Sequence, residues 1–325
     1  MVTLGASNQP LKGIGLMVLA TFLFASHDAL SKYLTGFYPV LLVIWARYVA
    51  HTLLMMGIFL PRAGLRILRT RRPGLQALRA ACLLCTSLFF ITGLQYIPLA
   101  EATAVNFLSP LLVTALSVPL LGEKVSPGQW VAVLLGFCGV MIIVHPGGEL
   151  FTPAILLPLG SASFFCLYQL LTRKLAEVDS PTTSNFFAGV FCTLAMSAML
   201  PFVWQVPTLM HGLTMLVLGA CGMLAHLLLT QAFKFAPPAL LAPFGYCQIV
   251  FAGLLGLLVF GHWPQPLTLL GIAVICFSGL AAALLARRNG AKEKRRAQAP
   301  PERSTVIEPA SAPCAAPSGT ATPGQ

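Results

Sequence analysis

Residues 122–127 read GEKVSP and residues 261–266 read GHWPQP, so the two segments begin 139 residues apart. The same interval separates Pro98, at the end of LQYIP, from Pro237, at the end of FKFAP. A long interval that recurs with matching turn residues indicates an internal duplication. Both copies are almost entirely apolar. A duplicated hydrophobic chain is an organisation typical of membrane transporters.

The composition excludes a soluble domain. The chain has 325 residues, of which 57% are hydrophobic and 9% are charged, whereas soluble domains carry about 25% charge. The net charge of +11 does not indicate nucleic-acid binding, because the charges cluster in short segments between apolar runs and in the tail. The nine cysteines lie mostly inside apolar runs, and the CxxC of Cys82 and Cys85 has no second pair and no histidine partner. We interpret them as packing residues and predict no metal and no cofactor.

Ten segments are apolar enough to span a membrane, which requires about 20 such residues. They lie at roughly 12–34, 38–60, 76–96, 98–121, 127–145, 153–173, 183–204, 210–234, 237–260 and 266–286. The sequence therefore predicts an all-α polytopic membrane protein with ten transmembrane helices. The first span contains His27 and Asp28 and has no small-residue cleavage site, so we interpret it as a retained helix rather than a signal peptide.

The ten spans divide into two five-helix repeats. The first repeat covers residues 12–145 with spans 1–5, and the second covers residues 153–286 with spans 6–10. Because five is an odd number, the second repeat enters the membrane from the other side, and the two repeats are predicted to be inverted. Residues 1–11 form a short cytoplasmic N-terminal segment. Residues 287–325 combine a basic run with a Pro/Ala-rich stretch, and we expect this tail to be disordered.

The positive charges predict the orientation. With the N-terminus in the cytoplasm, 18 of the 20 lysines and arginines fall in cytoplasmic segments, whereas Lys32 lies near the outer face and Arg47 lies inside a span. Lysine and arginine concentrate in cytoplasmic loops. We therefore expect an integral protein of the inner membrane with both termini in the cytoplasm. The basic run after span 10 would lie near the anionic headgroups of membrane lipids.

Charged side chains inside the spans are candidates for function, because a charge in hydrocarbon is costly. Asp28 lies in span 1, and Arg47 lies in span 2, one turn before His51. Counted from the connection between these antiparallel spans, Asp28 and Arg47 differ in depth by about 4.5 Å, which a long arginine side chain can bridge. The sequence thus predicts an ion pair. Either this pair pins two helices together, or Asp28 belongs to the substrate or proton site.

Polar groups in other spans complete the candidate set. Glu101 opens span 4, where a specific role and simple stabilisation by the helix dipole both remain open. The other candidates lie at comparable depth: Asn106 in span 4, Tyr168 and Gln169 in span 6, His226 in span 8, and Tyr246 and Gln248 in span 9. Together they suit an uncharged, ring-bearing or zwitterionic metabolite, although each alone could form an interhelical hydrogen bond. His27, His51 or His226 could relay protons, since histidine titrates near neutral pH.

Several motifs carry a family resemblance. The chain has LGE at 121–123, Gly-Phe-x-Gly-Val at 136–140 and Leu-x-Tyr-x-Pro at 94–98. With ten spans as 5+5, these motifs resemble the EamA family of the drug/metabolite transporter superfamily, over residues 12–286. The resemblance implies a central cavity lined by spans 1, 3, 4, 6, 8 and 9. It also implies an organic cargo such as an amino acid, nucleoside, vitamin or S-adenosylmethionine. The second copy departs from the family pattern at His262, where an acidic residue is frequent.

Three classes of function are compatible with this pattern. The first is a secondary transporter of a small organic metabolite, which acts as a monomer or homodimer and is driven by the substrate gradient, by exchange or by protons. The second is a polytopic enzyme for a lipid-like or acyl substrate, but such enzymes cluster acids or histidines at one membrane face, whereas these polar residues are scattered at mid-depth in both halves. A sensor or scaffold is disfavoured because the tail is unspecialised. Since the chain also lacks GxGxxG, Walker A and GxSxG motifs, we predict a transporter.

Overall fold

The computed structural model describes residues 10–64, 70–122, 125–145, 151–175, 178–236 and 238–298. Within these ranges the chain is helical and has no β-strand. The α-helices are α1 (Pro10–Leu34), α2 (Val40–Ala63), α3 (Pro73–Gly93), α4 (Leu99–Asn106), α5 (Ser109–Leu121), α6 (Pro127–Val144), α7 (Leu156–Leu175), α8 (Pro181–Met199), α9 (Leu209–Phe235), α10 (Pro238–Gly245), α11 (Cys247–Phe260) and α12 (Pro266–Gln298). Single turns of 3₁₀ helix lie at Pro153–Ile155 and Leu200–Phe202.

Ten parts of the described chain are long and apolar enough to cross a membrane, which confirms the predicted number of spans. Spans 4 and 9 were expected to be continuous, but each consists of two helices, α4 with α5 and α10 with α11. The break in span 4 follows Asn106, and the break in span 9 falls at Tyr246. Pro110 accounts for the first break, because it opens α5 and has no N–H to bond the Asn106 carbonyl four residues earlier. In span 9, Pro243 also removes a backbone donor, within α10 and three residues before the break.

The interval seen in the sequence recurs in the helix boundaries. α4 and α10 each have 8 residues, and the helices that follow them are capped by Gly122 and Gly261, with φ of 68° and 67°. Glycine adopts this left-handed conformation at little cost, whereas a side chain there is strained. Pro127 and Pro266 then begin α6 and α12. Pro237, a repeat position predicted from the sequence, lies outside the described residues.

Spans of the two halves pack in pairs across the bundle. α6 lies along α12, α1 along α9, and α3 along α7. Glycines bring α6 and α12 close: a Cβ on Gly139 would lie 2.7 Å from Ile275 Cγ1, and one on Gly271 would lie 2.6 Å from Ile143 Cγ1. Small residues permit the tight van der Waals packing that holds membrane helices together, because lipid tails are as apolar as the helix surfaces.

The bundle has two ends with different connections. The terminal end carries the start of α1 and the end of α12, and the loop end carries the connections at 35–39, 94–98, 203–208 and 261–265. At the terminal end α12 continues to Gln298, so residues 287–298 are helical rather than disordered as expected. Alanine, lysine, arginine, glutamate and glutamine in this stretch are strong helix formers. The rest of the predicted tail, residues 299–325, lies outside the described residues, as do residues 1–9.

Candidate functional site

A cavity of about 380 Å³ lies in the centre of the bundle. Its walls come from spans 1, 3, 4, 6, 8 and 9, as the family resemblance implies, and also from spans 2 and 7. Small-molecule sites occupy about 300–1,000 Å³. The candidates that line the cavity are Asp28, Arg47, His51, Asn106, Tyr168, Gln169, His226 and Gln248. The structure thus brings together eight of the ten residues singled out from the sequence.

The cavity extends toward the terminal end and is closed at the loop end. Met17 and Phe233, which lie within two turns of the terminal ends of α1 and α9, are part of its wall. At the loop end, Lys32 donates hydrogen bonds to the backbone carbonyls of Leu94 and, at 2.8 Å, Ile97. Beside this contact lies a buried cluster, the loop-end seal, formed by Ala25, Ala29, Phe90, Leu94, Ile97 and Leu99. The seal separates the cavity from the loop end.

Asp28 supplies a carboxylate to the cavity wall and is only 8% exposed. Its Oδ1 lies 3.0 Å from Nδ1 of His27, and its Oδ2 accepts a hydrogen bond of 3.1 Å from Nε2 of Gln248. Gln248 is the second residue of α11, just after the break in span 9, so this contact joins the start of α11 to α1. The two hydrogen bonds offset part of the cost of burying the carboxylate.

Arg47 faces the same cavity but takes other partners. Its guanidinium donates to the hydroxyls of Ser87 at 3.1 Å and Tyr48 at 3.2 Å, and it lies 4.6 Å from the centre of the Tyr48 ring. In the part of the chain that the structure describes, no ion pair within 4.0 Å joins Arg47 to Asp28. The predicted contact is therefore not formed, because each side chain is held by other hydrogen-bond partners, Asp28 by Gln248 and Arg47 by Ser87. Two opposite charges in one cavity remain unpaired with each other.

The three histidines predicted as proton relays all line the cavity. The ring centres of His51 and His226 are 6.4 Å apart, and Phe24 meets His226 edge-on at 5.0 Å. Nε2 of His27 is buried and has no hydrogen-bond partner among the described residues. Three titratable rings therefore surround one cavity, and a proton relay between them stays a prediction.

Aromatic rings and amides form much of the remaining wall. Asn106, the last residue of α4, accepts a hydrogen bond of 3.0 Å from Ser161 of α7, and this bond joins spans 4 and 6. The phenylalanines that line the cavity are Phe24, Phe90, Phe107, Phe165 and Phe233. Flat apolar surfaces with a few polar groups between them can hold a ring-bearing molecule in a fixed orientation.

A cation that the orientation count assigned to a cytoplasmic segment is instead buried. Arg79 of α3 is 1% exposed and has no ion-pair partner among the described residues. Its guanidinium donates to the Tyr168 hydroxyl at 2.8 Å, the Ser184 carbonyl at 2.9 Å, Thr172 Oγ1 at 2.6 Å and Asn185 Oδ1 at 3.3 Å. Tyr168 and Asn185 line the cavity, so Arg79 positions two wall residues from behind.

Gln76 extends this network to the terminal end. Its amide donates to Oδ2 of Asp179 at 2.9 Å and to the Ser184 hydroxyl at 2.8 Å. Burial alone would raise the pKa of Asp179, but hydrogen bonds from Thr70 and Gln76 outweigh this effect and hold that pKa below its usual value. The spacing of three residues, which puts Gln76 and Arg79 on one helix face, is the sequence signal that could have located the network.

The other two candidates lie outside the cavity. Tyr246 packs on α12, where a Cβ on Gly279 would lie only 1.5 Å from its hydroxyl oxygen, and its ring centre is 5.3 Å from that of Phe107. Glu101 lies at the loop end, where its Oε1 is 3.1 Å from Nε2 of His262. Neither side chain lines the central cavity.

Ten apolar spans around a central cavity with a few polar groups in its wall define an integral membrane protein of the transporter class. The model of the EamA-like transporter family matches the chain twice, over residues 11–145 and 152–284. These matches cover most of the chain, so the protein belongs to the EamA-like transporter family, as the sequence motifs predicted.

Named relatives and one solved structure agree with this assignment. The S-adenosylmethionine uptake transporter of Rickettsia bellii is 27% identical over 263 residues, which are 81% of this chain and 90% of the relative. The riboflavin transporter of Vibrio cholerae is 32% identical over 279 residues, which are 83% of this chain and 92% of the relative. A solved protein chain has a TM-score of 0.60 at 22% identity, over 87% of this chain and 100% of that chain, and this likeness shows the fold.

Proposed function

We propose that this protein is a secondary transporter that binds a small organic metabolite in the central cavity and exposes it alternately to the two sides of the membrane. The observation that carries the proposal is the cavity itself, where polar groups from both halves of the chain converge at mid-depth in the bundle. The relatives named for S-adenosylmethionine and riboflavin support a small metabolite as the cargo. Because the polar groups line a passage rather than one membrane face, we assign no covalent chemistry.

We also propose that the two repeats, residues 12–145 and 153–286, are inverted with respect to each other. An inverting two-fold axis exchanges span 1 with span 6 and span 3 with span 8. The contact of α1 with α9 then corresponds to the contact of α7 with α3, and both contacts are present. The same axis maps the pair of α6 and α12 onto itself. This pattern, with the recurring breaks and caps, supports a cycle in which one half rocks against the other.

The cavity wall favours a ring-bearing cargo with polar groups at its edge. Phenylalanine rings supply stacking surfaces, and Asn106, Gln169 and Gln248 supply amides. Asp28 and Arg47 do not neutralise each other, so each can receive a ligand group of the opposite sign. A zwitterion, or a neutral molecule with several hydrogen-bonding groups, would use both ends of this site. The cavity lies within one chain, so we infer that one chain is a complete transport unit.

For orientation, we propose that both termini are cytoplasmic and that the protein lies in the inner membrane. The clustering of lysine and arginine in alternate connections supports this placement. The cavity, which extends toward the terminal end, would then face the cytoplasm, and the loop-end seal would have to open to complete a cycle. The driving force would be the substrate gradient, exchange or a proton gradient.

Two tryptophan variants of α9 test the proposal. Leu229 lines the cavity, so Leu229→Trp places an indole in the path of the cargo. Leu224 is 44% exposed on the same helix, so Leu224→Trp adds the same side chain on the outer surface and serves as the matched control. Both variants are expected to reach the membrane, and only Leu229→Trp is expected to block transport.

The measurement is a comparison of metabolites in cells that make wild type, either variant or none of these proteins. At least one small metabolite should change with wild type and with Leu224→Trp, and it should stay at the protein-free level with Leu229→Trp. Uptake of that compound into vesicles, with and without a pH gradient, then gives the direction and the driving force. Four identical metabolite profiles would contradict the proposed function.

A further inference from the structure

A second, much smaller cavity lies at the loop end beside Glu101. Its volume is about 20 Å³, and its polar walls are Glu101, His145, His262, Gln265 and Thr268. A polar space larger than about 10–15 Å³ can hold one water. Two of the surrounding atoms, Oε2 of Glu101 and Nδ1 of His145, are buried and have no hydrogen-bond partner among the described residues. Both residues line this small cavity, whose volume is enough for one water.

Glu101 is not stable at this position as an isolated anion. The residue is 2% exposed, and within the described chain the only hydrogen bond of its side chain is the contact of Oε1 with Nε2 of His262 at 3.1 Å. A buried carboxylate is costly unless it is neutralised or fully paired. One proton shared by Glu101 and His262 makes the pair neutral, either as carboxylic acid with imidazole or as carboxylate with imidazolium.

We propose that the Glu101–His262 pair is a proton-binding site that keeps the loop end closed. The pair holds one proton while the two side chains are in contact. When the loop end opens, the hydrogen bond between them breaks and the proton passes to water at that face. This inference rests on the proposed function and adds to it a control of access to the cavity.

The path of the proton follows from the exposure of the two side chains. The side chain of His262 is 34% exposed, whereas that of Glu101 is 3% exposed. Since Glu101 does not line the central cavity, the loop-end seal separates this proton from the cargo. The proton therefore exchanges with the loop face alone, which distinguishes this site from Asp28 and its neighbours.

The site lies where both halves of the chain meet. Glu101 belongs to the first turn of α4, His145 follows α6, and His262 belongs to the connection between α11 and α12. Among the residues that the structure describes near this end, Lys32 of α1 is the other charged group, and its ammonium binds carbonyls in the turn before α4. In the described residues, the parts of α7, α11 and α12 near this end have no titratable side chain. The positive charge of Lys32 favours one proton in the pair over two.

The sign of the pH dependence follows directly. The closed loop end binds the proton more tightly than the open one, so acid at this face favours closure. Across the titration range of the pair, each pH unit changes the ratio of closed to open molecules by up to about tenfold.

A cysteine reporter in the loop-end seal measures this ratio without any cargo. Ala29 is 5% exposed, so Ala29→Cys introduces a thiol that reacts with a water-soluble maleimide only when the seal opens. The full chain is reconstituted in lipid nanodiscs, and labelling of the reporter peptide is followed by mass spectrometry. Each rate is divided by the rate for the unfolded protein at the same pH, which removes the titration of the thiol. The relative rate should rise roughly tenfold or more between about pH 6 and about pH 8.

Glu101→Gln, made in the Ala29→Cys protein, mimics the protonated acid, because an amide is neutral and can still accept a hydrogen bond from His262. Its labelling rate should stay at the low, acidic value throughout. Asp179→Asn makes the same change in a buried carboxylate at the terminal end and should keep the full pH response. The proposal is overturned if the pH response persists in the Glu101→Gln variant. It is also overturned if the Ala29→Cys protein that retains Glu101 shows no pH response.

Hydrogen exchange provides a second measurement on the protein with only its native cysteines. Backbone amides of residues 94–97 and 261–263 should exchange more slowly at about pH 6 than at about pH 8, after correction for the intrinsic rate, and Glu101→Gln should remove the difference. Equal protection at both pH values in the wild type would overturn the proposal. Neither readout requires transport, so a failure here leaves the proposed function standing, and a failure of transport leaves this result interpretable.

Discussion

Replacing Arg79 by lysine should destabilise the protein although the charge is kept. Arg79 donates four hydrogen bonds to acceptors on α7 and α8. An ammonium group has three donors and cannot reproduce the planar fork of a guanidinium, so at least one buried acceptor loses its partner. Hydrogen bonds to charged groups contribute about 1.5–3 kcal/mol each, and the loss of one or two of them costs about 3 kcal/mol.

The assay is thermal unfolding of the purified protein in detergent. A loss of about 3 kcal/mol lowers Tm by roughly 6–12 °C, on the scale of about 2–4 °C per kcal/mol for domains of 150–250 residues. Arg72→Lys makes the same change at an exposed position beside the start of α3, and it should leave Tm nearly unchanged. Equal melting temperatures for the two variants would refute the inference that the fork of Arg79 holds α3 against α7 and α8.

Three further outcomes are expected. Asp28→Asn keeps an acceptor for Gln248 but removes the charge. Uptake of the cargo into proteoliposomes should therefore fall by about tenfold or more, while Tm stays unchanged. Full activity would exclude Asp28 from the mechanism. Gly261→Ala should lower Tm by roughly 2–8 °C, because a side chain at positive φ costs about 1–2 kcal/mol. Gly57→Ala is the control, because its Cβ meets open space, and it should not lower Tm. The pKa of Asp179 is held below its usual 3.8, so the stabilising effect of its charge is present at neutral pH and is lost as the pH falls below 3.8 through the folded-state value. Tm of wild type and Asp179→Asn should therefore differ at about pH 7, and the difference should shrink as the pH falls through this range.

The spans could be predicted because hydropathy and turn residues are local signals. Span 5, expected at 127–145, is the helix Pro127–Val144. The breaks in spans 4 and 9 were missed, since hydropathy is continuous across them and only Pro110 and Pro243 mark the positions. The inverted relation of the two halves and the exact limits of the repeats stay predictions.

Most of the polar residues that line the cavity could also be predicted, since polar side chains inside spans face the bundle interior. The contacts between these side chains could not be predicted. Depth along two antiparallel helices places Asp28 and Arg47 at similar height, but it does not give the direction of each side chain around its helix. Asp28 bonds instead to Gln248, 220 residues later in the sequence, and contacts at that separation leave no local signal.

One charged residue was assigned to the wrong surroundings, and the contact between two others was missed, for a related reason. A count of positive charges treats every lysine and arginine near a span end as solvated, so it could not separate the buried Arg79 from its exposed neighbours Arg71 and Arg72. Likewise, Glu101 and His262 each stand at a helix end, where a solvated charge is ordinary, and only the fold brings them together.

The central claim, that this protein carries a small metabolite by alternating access, can be tested even while the cargo is unidentified. Proteoliposomes are placed in a uniformly ¹³C-labelled metabolite extract, and labelled compounds inside are measured by mass spectrometry. At least one labelled compound should enter faster when the liposomes contain the unlabelled extract than when they contain buffer, because a carrier returns more rapidly when it is loaded. Leu229→Trp should abolish that entry, and Leu224→Trp should preserve it. Labelled profiles that match those of protein-free liposomes would contradict the account.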